Sequence, residues 1–146
     1  MPPSQPFFAV VETAAAAAIV SGYICGGPNE PCDSAHRPYF HPSANVTRGQ
    51  LSKIAVGAAG WAWVTPPNPS FADVVPNTAF YAFVETAYCH GIISGYTCSG
   101  PGEPCDNQNH PYFRPYSDAT RGQIAKIVAL SVTGSRPCGV PPTATP

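Results

Sequence analysis

The chain is short of charge. Lysine, arginine, aspartate and glutamate together make up 10% of its 146 residues, and the net charge is −1. That leaves no basic face for nucleic acid and no polybasic patch for an anionic membrane surface. Long apolar runs are missing as well. The longest, around residues 14–20, is too short to cross a bilayer, so no membrane insertion is expected. Met1-Pro2-Pro3 has neither the positive start nor the apolar core of a signal peptide, so the expected form is the mature part of a secreted protein or a fragment of one. There is no Gly-rich phosphate loop and no nucleophile elbow. Glu12, Glu85, His36, His41, His90 and His110 form no acid/base or nucleophile set, so neither catalysis nor a cofactor is expected.

Proline, glycine and cysteine are abundant instead. Nineteen prolines and thirteen glycines beside 44% hydrophobic residues describe a loop-rich globular protein rather than a disordered one. Six cysteines in so small a chain point to an oxidising, extracellular compartment.

The dominant pattern is a repeat. Shifted by 73 residues, the sequence falls on itself without a gap. Glu12-Thr13-Ala14 meets Glu85-Thr86-Ala87, and Ser21-Gly22-Tyr23 meets Ser94-Gly95-Tyr96. Glu30-Pro31-Cys32-Asp33 meets Glu103-Pro104-Cys105-Asp106, and Pro38-Tyr39-Phe40 meets Pro111-Tyr112-Phe113. Thr47-Arg48-Gly49-Gln50 meets Thr120-Arg121-Gly122-Gln123. The expected layout is a first repeat over 1–64, a Pro-rich linker over 65–70, a second repeat over 71–135 and a Pro/Thr-rich tail over 136–146.

Each repeat reads as helix, long loop, helix, an all-α architecture with short extended segments. The first helices are expected over 6–18, capped by Ser4, and 78–90, capped by Asn77 and stopped by Gly91. Phe7, Val10, Val11 and Ala14 make an inward face in the first, and Phe80, Phe83, Val84 and Ala87 do so in the second. Gly95 is expected to supply a backbone angle that other residues resist, and Phe71-Ala72-Asp73-Val74 a short extended piece. The second helices open on capping boxes. Thr47 and Thr120 accept from the third amide of the helix, while Gln50 and Gln123 reach back to the cap amide. Arg48 and Arg121 then stand at the positive end of a helix, a place that suits an anion.

Cys25 and Cys32 bracket the first loop and Cys98 and Cys105 the second at the same spacing, so each pair is expected to close its own loop. A metal reading stays open in the second loop, where Asp106, Asn107, Asn109 and His110 offer ligands, but Ser34 and Arg37 break that set in the first. Cys89 and Cys138 have Ala16 and Thr65 as counterparts, and their joint appearance reads as one bridge. Two free thiols or an intermolecular link are the alternatives.

In order, Phe71-Ala72-Asp73-Val74, Gly91-Ile92-Ile93-Ser94-Gly95-Tyr96, Phe113-Arg114-Pro115 and Thr120-Arg121-Gly122-Gln123 resemble the S-layer homology repeat, whose hallmarks are F-x-D-V, G-I-I-x-G-Y, F-R-P and T-R-A-E. The resemblance covers nearly the whole chain. It implies an all-helical fold and non-covalent attachment to envelope polysaccharide at the cell surface, with three repeats usually forming a pseudo-threefold prism. It also implies that Arg48 and Arg121 contact an acidic, pyruvylated sugar in grooves walled by Asp73, Gly95 and Tyr96. The chain departs from the pattern at Gln50 and Gln123 in place of Glu, at Gly49 and Gly122 in place of Ala, and at His41 in place of the F-R-P arginine. The disulfide-bracketed loop is an insertion, and two repeats stand where three are usual.

The plainer role for Arg48 and Arg121 is a helix-start arginine held by a neighbouring carboxylate or carbonyl, packing one repeat on the next. Trp61 and Trp63 offer stacking surfaces for sugar or a partner subunit, or pack on the neighbouring helix. Asn45-Val46-Thr47 fits an N-glycan sequon although Thr47 is also the cap, and Thr143 and Thr145 suit O-linked sugar. Because 146 is twice 73, a second copy placed head to tail would continue the register. The expected function is therefore a non-catalytic surface protein that self-assembles into a filament or layer, itself its own partner through its repeats and tail. A module anchoring to acidic envelope polysaccharide is the alternative.

Overall fold

The computed structural model describes residues 3–139; Thr143, Thr145 and the tail contact expected of the last residues lie outside them. Four helices run in order, α1 (Phe8–Ala16), α2 (Arg48–Ala59), α3 (Tyr81–Cys89) and α4 (Arg121–Thr133). Among the described residues there is no strand, only isolated bridges within turns and loops. No helix is long and apolar enough to cross a membrane. Packing divides the chain into two compact units, Met1–Asn45 and Val46–Pro146. The second unit thus holds α2, which by sequence belongs to the first repeat.

In the first unit α1 starts at Phe8, with Phe7 rather than Ser4 at its N-cap and no side-chain cap. It buries none of its residues, and the face expected to point inward leaves Phe7 57% and Val10 65% exposed. The loop after it is built locally. Tyr23 and Tyr39 exchange backbone hydrogen bonds at 2.7 and 2.9 Å. Cys25 is bonded to Cys32 with their Cα atoms 5.0 Å apart. Asp33 accepts from the amides of Ala35 and Arg37 and from the Arg37 guanidinium.

The second unit repeats that loop contact for contact. Tyr96 and Tyr112 exchange backbone bonds at 2.8 Å, and Cys98 is bonded to Cys105 across 5.0 Å between Cα atoms. Asp106 accepts from the amides of Gln108 and His110 and from the His110 ring. Here, however, a core is present. Val56, Phe71, Val74, Val84, Ala87, Ile92 and Phe113 are essentially inaccessible, and Ile127 joins them from α4. At about 1.5–3 kcal/mol for each large side chain removed from water, this cluster is the main source of the unit's stability.

Both capping boxes form as the sequence implies, with Thr47 and Thr120 accepting from Gln50 and Gln123 and each glutamine returning a bond to the cap amide. Gly60, left-handed at φ 66°, ends α2. Gly91, at φ 74°, follows α3 as expected. The start of α3 differs from expectation. Asn77 is left-handed at φ 71° and sits in a turn, so the helix begins at Tyr81 with Phe80 as an uncapping N-cap residue. Phe71-Ala72-Asp73-Val74 is not extended but a tight turn closed between Phe71 and Val74. Residues three apart on a strand face opposite sides, whereas this turn sends both side chains into the core. Gly95 is needed for space rather than for its angle. A Cβ there would come within 2.8 Å of Phe71 Cε1 and Pro111 Cβ.

The segment 64–70, which contains the Pro-rich linker, is laid along α3 and held at three points. The Val64 amide donates to Thr86 Oγ1 at 2.8 Å, the Tyr81 hydroxyl donates to the Pro66 carbonyl, and Glu85 accepts from both the amide and the hydroxyl of Ser70. Beyond α4 the chain returns to the end of α3. The Arg136 amide donates to the His90 carbonyl at 3.1 Å, and Cys138 is bonded to Cys89 with Cα atoms 5.1 Å apart. Three such bridges fit an oxidising compartment.

Candidate functional site

The capping box fixes where Arg48 goes. With Thr47 in extended geometry and α2 starting at the next residue, the Arg48 side chain leaves the helix toward the loop of the second repeat. It is 7% exposed. Its Nε donates to the Phe113 carbonyl at 2.7 Å, one terminal nitrogen to the Ser94 carbonyl at 3.2 Å and the other to the Tyr96 hydroxyl at 3.5 Å. The guanidinium carbon lies 4.5 Å from the Phe113 ring centre and 5.0 Å from that of Tyr96. A buried charge costs several kcal/mol unless it is satisfied, and here carbonyl dipoles and aromatic faces meet it where a carboxylate would be usual. Burial lowers the Arg48 pKa from its ordinary value, opposed by the nearby Tyr96.

The backbone joins the same contact. The Arg48 amide donates to the Ser117 carbonyl at 2.9 Å and the Gly49 amide to the Pro115 carbonyl at 2.8 Å, which satisfies two amides that a helix start leaves open. The ring of Phe80 lies against Gly49. One helix start is therefore docked into a receiving loop by side chain, main chain and ring together.

Tyr96 is the centre of that loop. Arg114 also lies over its ring, with the guanidinium carbon 4.1 Å from the ring centre, and forms a two-pronged pair with Glu103 at 2.7 and 2.8 Å. Glu103 holds the Arg114 pKa above its usual value, and Arg114 in return holds the Glu103 carboxyl below the usual range. Gln123 of the second capping box donates to the Tyr96 hydroxyl at 3.0 Å. A cleft of about 150 Å³ opens beside these groups, lined by Arg48, Ser94, Gly95, Tyr96, Gln123 and Lys126 over Ile92, Ile93 and Ile127.

Of the residues singled out in sequence, Arg48, Gly95, Tyr96 and Gln123 thus come together. Asp73 does not line the cleft. Its carboxylate accepts from the amides of Phe113 and Arg114 at 2.7 and 2.6 Å and sets the strained Arg114 backbone, at φ 60°. Arg121 is exposed and has no side-chain partner among the described residues. Trp61 stacks on His90 at 3.8 Å and packs against the core, while Trp63 is 66% exposed and edge-on to Phe83. Asn45 is exposed, and the Thr47 hydroxyl of its sequon is engaged in the cap.

The metal alternative finds little support. The Asp106 carboxylate is committed to its own loop amides and to His110, as Asp33 is in the first loop. The sulfurs of Cys25 and Cys32 lie close to His36 but are bonded to each other and are not thiolates.

Sequence reasoning missed the Glu103–Arg114 pair and Lys126, and it did not foresee that Glu85 is buried on Ser70. The first of these had a signal, since Glu30 and His41 occupy the same phase in the first repeat, and in the structure those two also pair, at 3.0 Å. No family model, no curated protein and no solved structure matches this chain.

Proposed function

We propose that the protein is a non-catalytic extracellular structural protein of the cell surface that self-assembles through S-layer-homology-like repeats into a filament or layer. The observation that carries this reading is the burial of Arg48 and Gly49 in the loop of the following repeat, bonded to the carbonyls of Phe113, Ser94, Ser117 and Pro115. A repeat of this kind is built to receive the helix start of its neighbour, which is the property a repeating assembly requires. Three disulfides and a surface poor in charge suit an extracellular structural role. Electron microscopy and sedimentation of the native material test it: ordered fibres or sheets are expected, and a monomer at all concentrations contradicts it.

A second reading is favoured by the cleft. Lys126, Gln123 and Tyr96 converge there beside the Arg48 guanidinium over an apolar floor, an arrangement suited to an acidic sugar substituent on an envelope polysaccharide. Calorimetry with purified, pyruvylated wall polysaccharide tests it. Binding that Lys126→Ala weakens supports an anchoring role, and no heat at millimolar sugar excludes it.

A further inference from the structure

The interface that unites the two repeats is made inside the second unit by α2, and the residues of its two halves each recur 73 positions away, on α4 and in the first repeat. The six residues of α2 that are buried are Arg48, Gly49, Leu51, Ser52, Ala55 and Val56. Moved by 73 residues they become Arg121, Gly122, Ile124, Ala125, Val128 and Ala129 of α4, all of them exposed except the half-buried Ile124. Val128 is 53% exposed, and Val132, one turn further, is 79% exposed. A Cβ at Gly49 would strike the Phe80 ring at 2.6 Å, whereas at Gly122 its nearest neighbour would be Thr120 Oγ1 at 4.0 Å. Among the described residues, nothing fills over α4 the place that Phe80 takes over α2.

The receiving half is duplicated too. α3, which packs on α2, has α1 as its counterpart, and α1 buries nothing. Phe7, the counterpart of Phe80, is 57% exposed. Tyr23, the counterpart of Tyr96, is 45% exposed and is held by the same backbone exchange, with Tyr39 in place of Tyr112. His41 takes the phase of Arg114 and keeps its left-handed backbone, at φ 55°, its carboxylate partner and its place beside the tyrosine, 4.8 Å between ring centres. The carbonyls that would replace those of Ser94, Phe113, Pro115 and Ser117 belong to Ser21, Phe40, Pro42 and Ala44.

We propose that α4 of one copy docks onto the first repeat of a second copy as α2 docks onto the second repeat. Arg121 enters between the Ser21 and Phe40 carbonyls beside Tyr23, and Phe7 closes over Gly122. The occupant of each exposed face is thus another molecule of this chain. The contact joins unlike surfaces, so growth runs head to tail. The proposal rests on the self-assembly reading and supplies the interface for it.

The test uses the full oxidised chain, sedimented over a concentration series. The wild type is expected to form chains of copies. Arg121→Glu and Phe7→Asp are each expected to weaken association at least tenfold with unchanged melting, because both side chains are exposed and Asp is a good N-cap residue. Gly122→Ala gives the same loss by filling the seat of Phe7, without a charge change. A mixture of the Arg121→Glu and Phe7→Asp variants retains one intact contact, Arg121 of one with Phe7 of the other, and should stop at a one-to-one dimer. If the wild type assembles and the three variants assemble equally well, this interface is wrong while self-assembly stands. Variants that block growth but yield no mixed dimer also overturn the pairing. A wild type that never associates removes both readings.

Discussion

The ring of Phe80 lies so close over Gly49 that a β-carbon at this position would come within 2.6 Å of its Cδ2. Gly49→Ala must push a ring out of a packed site, at a cost of about 1–3 kcal/mol. Gly122→Ala meets open space in the single chain and gains up to about 1 kcal/mol of helix propensity. Urea denaturation at concentrations that keep the protein monomeric separates the two, and equal effects would contradict the packing described.

Arg48→Ala leaves the Phe113 and Ser94 carbonyls without their charged donor and is expected to destabilise the fold by about 3 kcal/mol. Arg48→Lys should not recover it, since an ammonium cannot reach three acceptors in the fork of a guanidinium. Thermal melts of both variants check this, and a lysine variant as stable as the wild type would count against it.

Glu85→Ala removes the acceptor for both the amide and the hydroxyl of Ser70. About 2 kcal/mol is expected, with faster amide exchange at Val64 and Ser70 than elsewhere. Uniform loss of protection across α3 and α4 would show instead that the linker is not separately held.

The acid response follows from three carboxylates, Asp33 and Asp106 exposed and Glu103 half-buried. The Arg37 amide and then its guanidinium hold Asp33 below the ordinary range, the His110 amide and then its ring do so for Asp106, and Arg114 does so for Glu103. A carboxylate with a depressed folded pKa binds fewer protons than in the unfolded chain. Its stabilisation is complete above the ordinary value of roughly 4 and is lost as pH falls through the lower folded value. The amide resonances of Ala35, Arg37, Gln108 and His110 should therefore hold their positions at pH 5 and move only below about pH 4. Opening of these loops above pH 5 would be inconsistent with the geometry.

The bridges differ in the length of chain they close. Cys25–Cys32 and Cys98–Cys105 each span seven residues, and Cys89–Cys138 spans 49. On loop-closure entropy alone, replacing a short pair by alanine costs about 2.5 kcal/mol and the long pair about 4 kcal/mol. Guanidinium titration of the three double variants gives the order, and a non-reducing peptide map checks the pairing.

What the sequence made legible was local. Thr47 and Gln50, or Thr120 and Gln123, act on each other across one helical turn, so their capping boxes could be read directly. The three cysteine pairings followed from spacing within one loop or from absence in the other repeat. Periodicity told which face of α1 is apolar but not whether anything covers it, and Phe7 and Val10 emerged exposed. Gly95 was assigned to an angle because glycine permits one, while the real constraint, Phe71 and Pro111 pressing in, is long-range. Arg48 and Arg121 have the same local sequence and opposite surroundings, which only tertiary packing could divide.

The assignment of α2 to the second compact unit bears on ancestry. In a protein made of a single 73-residue period, the helix start and a loop of the kind that grips it would sit on one polypeptide, and the contact α2 makes here with the next repeat would have no following repeat to receive it. Fusing further periods in tandem should accordingly lengthen such a protein without inventing any new contact.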